Sequence, residues 1–311
     1  YSDEESCRQQ IYINKWPGGY CCDQCGHKEC YRFERGKRLM FQCQSCKHQC
    51  SLLSGTLFER TRLKLTYWFK AFYLISQAKN SVSILELHRH LGVNYKTAWL
   101  MKHKIMQMMY DQDSKYKLKG RIEIDDAYLG GVLKGGHAGR GSENKAAFIA
   151  AIETTEDKHP LYARFTPVKS FSKNAVKEWA EANVSPKSHT ITDGLACFKA
   201  LAKFGFHEVH VISKEGHEKT DTHFKWVNTV LSNVKTSLSD TFHSIDFKKY
   251  GFRYLADLQF RFNRRFDLSK LYLSLIRNSK IVFIKLESTH MKRFTLIELL
   301  MVIAIIGILA S

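Results

Sequence analysis

Residues 120–131 read GRIEIDDAYLGG, and what its paired aspartates are for decides how the whole chain is read. Ile122 and Ile124 alternate with Glu123 and Asp125 at the period of two expected of a β-strand, and a glycine-rich turn follows. The stretch RIEID therefore reads as a short strand ending on Asp125 and Asp126. Neighbouring carboxylates repel each other, so the pair marks either an ordinary strand terminus or a place where a cation belongs. Parity does not choose between Asp125 and Asp126, because a central strand of an α/β sheet is covered on both faces.

A second carboxylate converges on the question. HTITDG at 189–194 places Asp193 at the end of another apolar strand, before Gly194. Two strand-end aspartates on neighbouring strands can share divalent cations, since hard oxygen donors suit Mg²⁺, though each taken alone reads first as a strand-terminating or helix-capping residue. WVNTVLSNVKTSL at 226–238 sets Asn228 and Lys235 seven residues apart. In a helix they share one face, about 10 Å apart along the axis. A neutral oxygen ligand with an ammonium two turns on suits a metal site fed by a phosphate backbone, and the same pattern also describes a solvated helix face.

Working outward, residues 121–168 carry three strand candidates in succession, RIEID, KAAFIAAIE and LYARFTPV. Helix, strand, helix and strand follow in KNAVKEWAEANV, SHTITD, GLACFKALAKF and HEVHVI, and two helices close the pattern near 223–238 and 250–266. Consecutive strands giving way to alternating elements predict an α/β domain with a mixed sheet.

The N-terminal part is of another kind. Eight of the nine cysteines fall within the first 50 residues, and CDQC at 22–25 and CQSC at 43–46 are separated by seventeen residues. Two such knuckles bring four thiolates around a tetrahedral Zn²⁺ with no open position, a structural site; Cys22, Cys25, Cys43 and Cys46 are the expected ligands. Cys21 and Cys50 compete but complete no better-spaced pair. An odd cysteine count with no visible secretory signal argues against a disulfide framework and for a reducing compartment. The chain opens on Tyr1 and reads as lacking a few initial residues.

Between these parts, residues 61–115 carry apolar residues at helical spacing. Leu85, Leu87 and Leu91 precede the turn Gly92-Val93-Asn94, and Ala98, Leu100 and Met101 follow it, which predicts a helix-turn-helix. Asn94, Tyr95, Lys96, Thr97 and Trp99 then stand where side chains can reach base edges or phosphates. The chain holds 48 Lys and Arg against 30 Asp and Glu, a formal net charge of +18, which favours a polyanionic partner. The Gly-rich LKGGHAGRGSENK at 133–145 and the arginine–aromatic stretches YRFERGKR at 31–38 and RFNRRF at 261–266 are compatible with nucleic acid. No zincin motif, nucleophile elbow, P-loop or dinucleotide fingerprint is present.

In this order and spacing, YSDEESC…WPGGYCCDQCG, FQCQSCKHQCSLLSGTLFERTRLKL, LGVNYKTAW, EIDDAYLGG, ITDG, WVNTVLSNVKTSL and YLADLQFRFNRRFDL resemble the bacterial insertion-sequence transposases that join an N-terminal zinc ribbon to an RNase H-like catalytic domain of the DDE type. The resemblance implies that Asp125 rather than Asp126 is the first catalytic aspartate and Asp193 the second. It places Asn228 at the third acidic position, with Lys235 following, and implies Mg²⁺ or Mn²⁺ at this set. The implied partners are double-stranded DNA, both element ends and target, with the protein acting as a homo-oligomer in the cytoplasm near the nucleoid. A DNA-binding regulator or inactive relic is the alternative; Asn228 removes one negative charge and is expected to weaken metal affinity, but this substitution occurs in a branch of the family and does not by itself imply inactivity.

The expected organisation is multidomain α/β: a zinc ribbon over 1–60, a helix-turn-helix region over 61–115, a catalytic domain over 120–270 and an extension over 271–290. The last stretch, MKRFTLIELLMVIAIIGILAS at 291–311, stands apart. Its apolar run approaches the ~18 residues of a membrane-span candidate. It resembles the N-terminal segment of type IV prepilins in Phe294 and Glu298, but has Arg293 where that pattern has glycine. It is expected to be a read-through fusion, and membrane association would rest on residues 294–310 alone.

Overall fold

The computed structural model describes residues 1, 3–130, 145–210, 224–242 and 245–279. The pilin-like segment and nearly all of the Gly-rich stretch, 133–144, lie outside the described residues.

The chain begins with a helix that the cysteine-rich composition conceals. In α1 (Glu4–Lys15), Asp3 caps the first turn by accepting the Ser6 amide at 2.8 Å, and Cys7 and Ile11 face inward. The ribbon follows as an antiparallel sheet of β1 (Cys30–Arg35), β2 (Arg38–Cys43) and β3 (Gln49–Ser51). Three helices come next: α2 (Leu65–Gln77), α3 (Ile84–Leu91) and α4 (Tyr95–Asp113). The expected turn between α3 and α4 is built as its sequence requires. Gly92 takes the left-handed conformation at φ 63°, and Asn94 caps α4 by accepting the Thr97 amide at 2.8 Å.

A five-stranded mixed sheet forms the second half, from β4 (Arg121–Leu129), β5 (Ala146–Thr154), β6 (Pro160–Pro167), β7 (Ser188–Thr192) and β8 (Gly205–Val209). Its order is β6-β5-β4-β7-β8, antiparallel through β6, β5 and β4 and parallel from β4 through β7 to β8. This is the mixed sheet expected from the sequence, and the chain as a whole is multidomain α/β. On one face lie α5 (Lys173–Asn183) and the 3₁₀ helix Ala196–Lys203, covering Ile122, Ile124, Ile149 and Ala151. On the other lie α6 (Lys225–Thr241) and α7 (Phe247–Phe262), covering Ala127, Leu129, Phe148 and Phe165. Alternate residues of β4 and β5 thus enter different cores, as pleating dictates. In α6 the buried Val227, Val230, Leu231, Val234 and Leu238 recur at helical spacing, and each such side chain contributes about 1.5–3 kcal/mol by leaving water.

The last described helix, α8 (Leu268–Asn278), returns to the N-terminal half. Its Leu271, Leu275 and Ile276 share a core with α1, α2 and the ribbon, and Asn14 donates to the Ile276 carbonyl at 2.9 Å. Among the described residues no helix is long and apolar enough to cross a membrane.

The RFNRRF stretch turns out to be a structural staple rather than an offered basic surface. Arg261 donates to the Ile75 and Ala78 carbonyls, Arg264 pairs with Asp113 at 2.9 Å, and Arg265 donates to the Pro160, Leu161 and Phe262 carbonyls. Asn263 and Gln259 satisfy the outer edge of β6, accepting the Ala163 and Phe165 amides at 2.7 and 2.9 Å. Composition alone did not separate guanidinium groups spent on carbonyls from those free to meet phosphates.

Candidate active site and metal centres

The aspartate pair does not end its strand. β4 continues to Leu129, with Asp125 opposite Ala150 on β5. What ends there is the parallel pairing to β7, whose last partners are Glu123 and Ile191. β7 itself stops at Thr192, one residue before Asp193. The two aspartate-bearing segments therefore separate where their carboxylates begin, at the carboxyl ends of parallel strands, where open sheets of this kind form their crevices. One carboxylate oxygen each from Asp125, Asp126 and Asp193 lies within 4.8 Å of the other two.

The electrostatics of the cluster are unfavourable as it stands. Burial, then the charges of Asp193 and Asp126, push the Asp125 carboxyl up to about 6, against smaller opposing effects from the Asp126 amide and Lys235. The Asp126 amide donates to Asp125 Oδ1 at 2.8 Å, and the Leu195 amide to Asp193 Oδ1 at 3.2 Å. Three hard, acidic oxygen donors crowded together and half-buried, with one exposed ammonium nearby, fit a divalent cation that takes carboxylate ligands.

Helix α6 packs across β4 and carries the two remaining expected residues. Asn228 lies near its start and Lys235 two turns on, both exposed and off the buried stripe. The charge of Lys235 reaches Asp125, and Asn228 is carried on the same helix nearer its start. Two residues were not singled out from sequence for what they do here. Asp126, set aside in favour of Asp125, brings its carboxylate into the same group. Glu123, read only as the alternate residue of a strand, is fully buried and accepts the amides of Trp226 and Val227 at 3.0 Å each.

In the ribbon the expected four sulfurs converge, and Cys21 and Cys50 stay outside the group. Cys22 and Cys46 Sγ are 3.5 Å apart, and Cys25 and Cys43 Sγ 3.6 Å. Tetrahedral Zn²⁺ with bonds of ~2.3 Å requires sulfurs about 3.8 Å apart, so the set needs little adjustment to hold one. The two knuckles repeat the same backbone pattern. Gly26 N–H bonds the Cys22 carbonyl and Cys22 N–H the His27 carbonyl, while Lys47 and His48 do the same around Cys43. Backbone amides at Cys25 and Gln24 favour the Cys22 thiolate that a metal needs, while, against the His48 amide, burial and the neighbouring thiols push Cys46 up to about 12.

The helix-turn-helix presents less than its sequence offers. Asn94 is committed to its cap, and Trp99 stacks on His103, ring centroids 3.9 Å apart, with Tyr250 of α7 against its edge. Tyr95 and Lys96 remain exposed, and so do Leu85 and Leu100.

A cysteine ribbon joined through helices to a mixed sheet with clustered carboxylates defines a multidomain α/β protein with two metal-suited centres. Residues 117–263 match the ISXO2-like transposase domain, and residues 2–49 match the transposase zinc-ribbon domain. The chain thus carries a transposase zinc-ribbon domain followed by an ISXO2-like transposase domain. A relative from Halobacterium salinarum, described as an uncharacterized protein in transposable element ISH50, is 24% identical over 235 residues, covering 71% of this chain and 77% of the relative. Among solved structures, a chain of the simian T-cell lymphotropic virus intasome complexed with PP2A regulatory subunit B56 gamma gives a TM-score of 0.29 at 11% identity. That match covers 57% of this chain and 63% of the other, so this chain spans less than two thirds of it. A pre-cleavage Mos1 transpososome gives 0.22 at 8% identity, with coverages of 69% and 79%. Scores this low do not bear on what this chain does.

Proposed function

We propose that the protein binds the terminal inverted repeats of its element and catalyses divalent-metal-dependent DNA strand cleavage and strand transfer. The observation that carries this is the convergence of Asp125 and Asp193 where β4 and β7 part, beside the helix that bears Asn228 and Lys235. Asp125 and Asp193 would hold Mg²⁺ or Mn²⁺, Asn228 adding a neutral oxygen ligand. Bound divalent ions supply Lewis-acid polarisation of a phosphodiester and make water or a DNA 3′-hydroxyl a better nucleophile. Lys235 would hold the DNA backbone with its ammonium, and the half-buried carboxylates would hold the ions that offset their mutual repulsion. Cys22, Cys25, Cys43 and Cys46 hold structural Zn²⁺ in a ribbon that, with Tyr95 and Lys96 of α4, meets the duplex. Bringing two element ends together requires more than one copy on DNA.

The test is nicking and joining of duplex DNA carrying the element ends, with the full chain, Asp125→Ala and Lys235→Ala. Activity that needs Mg²⁺ or Mn²⁺, is abolished in Asp125→Ala and falls sharply in Lys235→Ala is the expected result. Binding of the ends without cleavage under either metal would make the protein a DNA-binding regulator or relic instead.

A further inference from the structure

Glu123 has a role that its place in the strand does not disclose. It lies two residues before Asp125 on β4, hence on the same face, and its side chain is wholly buried. Its two oxygens are fully engaged by different partners. Oε1 accepts from Arg121 at 2.7 Å, and Oε2 accepts both the Trp226 and Val227 amides at 3.0 Å. With three of its about four acceptor sites taken, and outside the group formed by Asp125, Asp126 and Asp193, this carboxylate serves as a structural acceptor.

Those two amides are the second and third donors of α6, which an N-cap side chain ordinarily satisfies. The N-cap of α6 is Phe224, which offers no side-chain acceptor. Glu123 thus supplies from the sheet the cap that the helix lacks, and places a negative charge at the positive end of its dipole. Asn228 is the residue immediately after Val227. A slip of α6 by one residue along its axis would move Asn228 by about 1.5 Å, several times the ~0.2 Å tolerance of a metal–ligand distance.

We propose that Glu123 is a positioning residue of the metal centre: it clamps α6 to the strand that bears Asp125 and so sets Asn228 at its working distance. This rests on Asn228 being a metal ligand, as proposed above. The clamp also explains how Asn228, on an exposed helix surface, can be held to the precision a ligand needs. Arg121, itself bonded to Thr154 Oγ1 at 3.0 Å, offsets the buried charge of the clamp.

The experiment is Mn²⁺ binding to the full chain without DNA, followed by electron paramagnetic resonance, together with amide hydrogen exchange at residues 226 and 227. The proteins are wild type, Glu123→Ala, Glu123→Gln, Asn228→Ala and the Glu123→Ala/Asn228→Ala double variant, with Asp125→Ala as the control that abolishes binding at this centre. Glu123→Ala is expected to release both amides to exchange and to weaken Mn²⁺ binding about 10-fold or more, within the range of lost outer-shell support. Glu123→Gln, which keeps the volume and one acceptor oxygen, should recover part of the affinity. The double variant should bind no more weakly than the weaker single variant, because both changes act through one ligand.

If Asn228→Ala weakens Mn²⁺ binding but Glu123→Ala does not, or the two losses multiply, the positioning role is overturned while the metal centre stands. Persistent protection of both amides in Glu123→Ala would overturn it too. If neither Asn228→Ala nor Asp125→Ala affects Mn²⁺, the metal-centre assignment falls and this role falls with it.

Discussion

Lys102 Nζ lies 2.6 Å from Asp257 Oδ2, and both side chains are closed to solvent. The pair joins α4, which follows the helix-turn-helix turn, to α7, which covers the mixed sheet. Ser81 Oγ bonds both groups, and Arg261 lies 3.5 Å from the other carboxylate oxygen. Burial alone would raise the Asp257 carboxyl, but the Lys102 and Arg261 charges outweigh it and hold the group below its ordinary value. Removing one partner leaves an uncompensated buried charge. Asp257→Ala should cost about 3–5 kcal/mol in urea unfolding, whereas Lys102→Met combined with Asp257→Asn should cost clearly less than Asp257→Ala alone. A double variant as unstable as the single one would mean that the pair contributes net stability rather than orientation.

Asp125 shows a conflict between function and stability. Its carboxyl is pushed up to about 6, chiefly by burial and then by Asp193 and Asp126, so above that pH its ionised form weakens the metal-free fold. Asp125→Asn should raise the melting temperature in buffer without Mg²⁺ or Mn²⁺ at pH 8, by about 2–4 °C for each kcal/mol of strain relieved. The gain should shrink as pH falls and vanish below the unfolded carboxylate value near 3.8, where both forms are neutral. Mg²⁺ should stabilise the wild type and leave Asp125→Asn little changed. Thermal scans over pH, with and without metal, check all three.

Much of this arrangement could be read from residue order. The Cys-x-x-Cys pairs, the Gly92 turn and the alternation of β4 are local patterns with local physical causes, and each formed as expected. The third dimension was not legible in the same way. Whether Arg264 meets a phosphate or Asp113, whether Trp99 meets a base or Tyr250, and whether Glu123 caps a helix a hundred residues away depend on which elements pack together. Strand parity likewise placed Glu123 with Asp125, but it did not show that the helix across from them lacks its own cap. Nor could the end of a strand be told from the end of a strand pairing, which is why the aspartates seemed terminal and proved central.

The ribbon makes a direct demand on metal. One Zn²⁺ per chain is expected, and Cys43→Ser, at a buried knuckle position, should lose nearly all of it and unfold the N-terminal sheet. Cys21→Ser should retain the metal, because Cys21 is exposed and outside the four-sulfur group. Metal analysis of the purified variants, with circular dichroism before and after a strong chelator, checks this. Equal zinc loss in both variants would mean a different ligand set.

His103 should make the whole assembly acid-sensitive. It is buried on α4 among Trp99, Tyr250 and Tyr254, and Arg253 donates to its Nδ1 at 3.3 Å. Burial first, then the Arg253 and Lys102 charges, lower its pKa to about 3. The folded protein therefore keeps the imidazole neutral in a range where the unfolded chain, titrating near 6.5, takes up a proton. Because the unfolded state binds more protons there, the stability due to the neutral ring is complete above pH 6.5 and is lost as pH falls towards 3, by at most about 1.4 kcal/mol per pH unit. His103→Gln, which cannot take up a proton, should show a shallower decline in urea stability between pH 6.5 and 4, even if it is less stable at pH 7.5. An unchanged slope would place the acid sensitivity elsewhere, in the buried Asp257 carboxylate held down by Lys102 and Arg261.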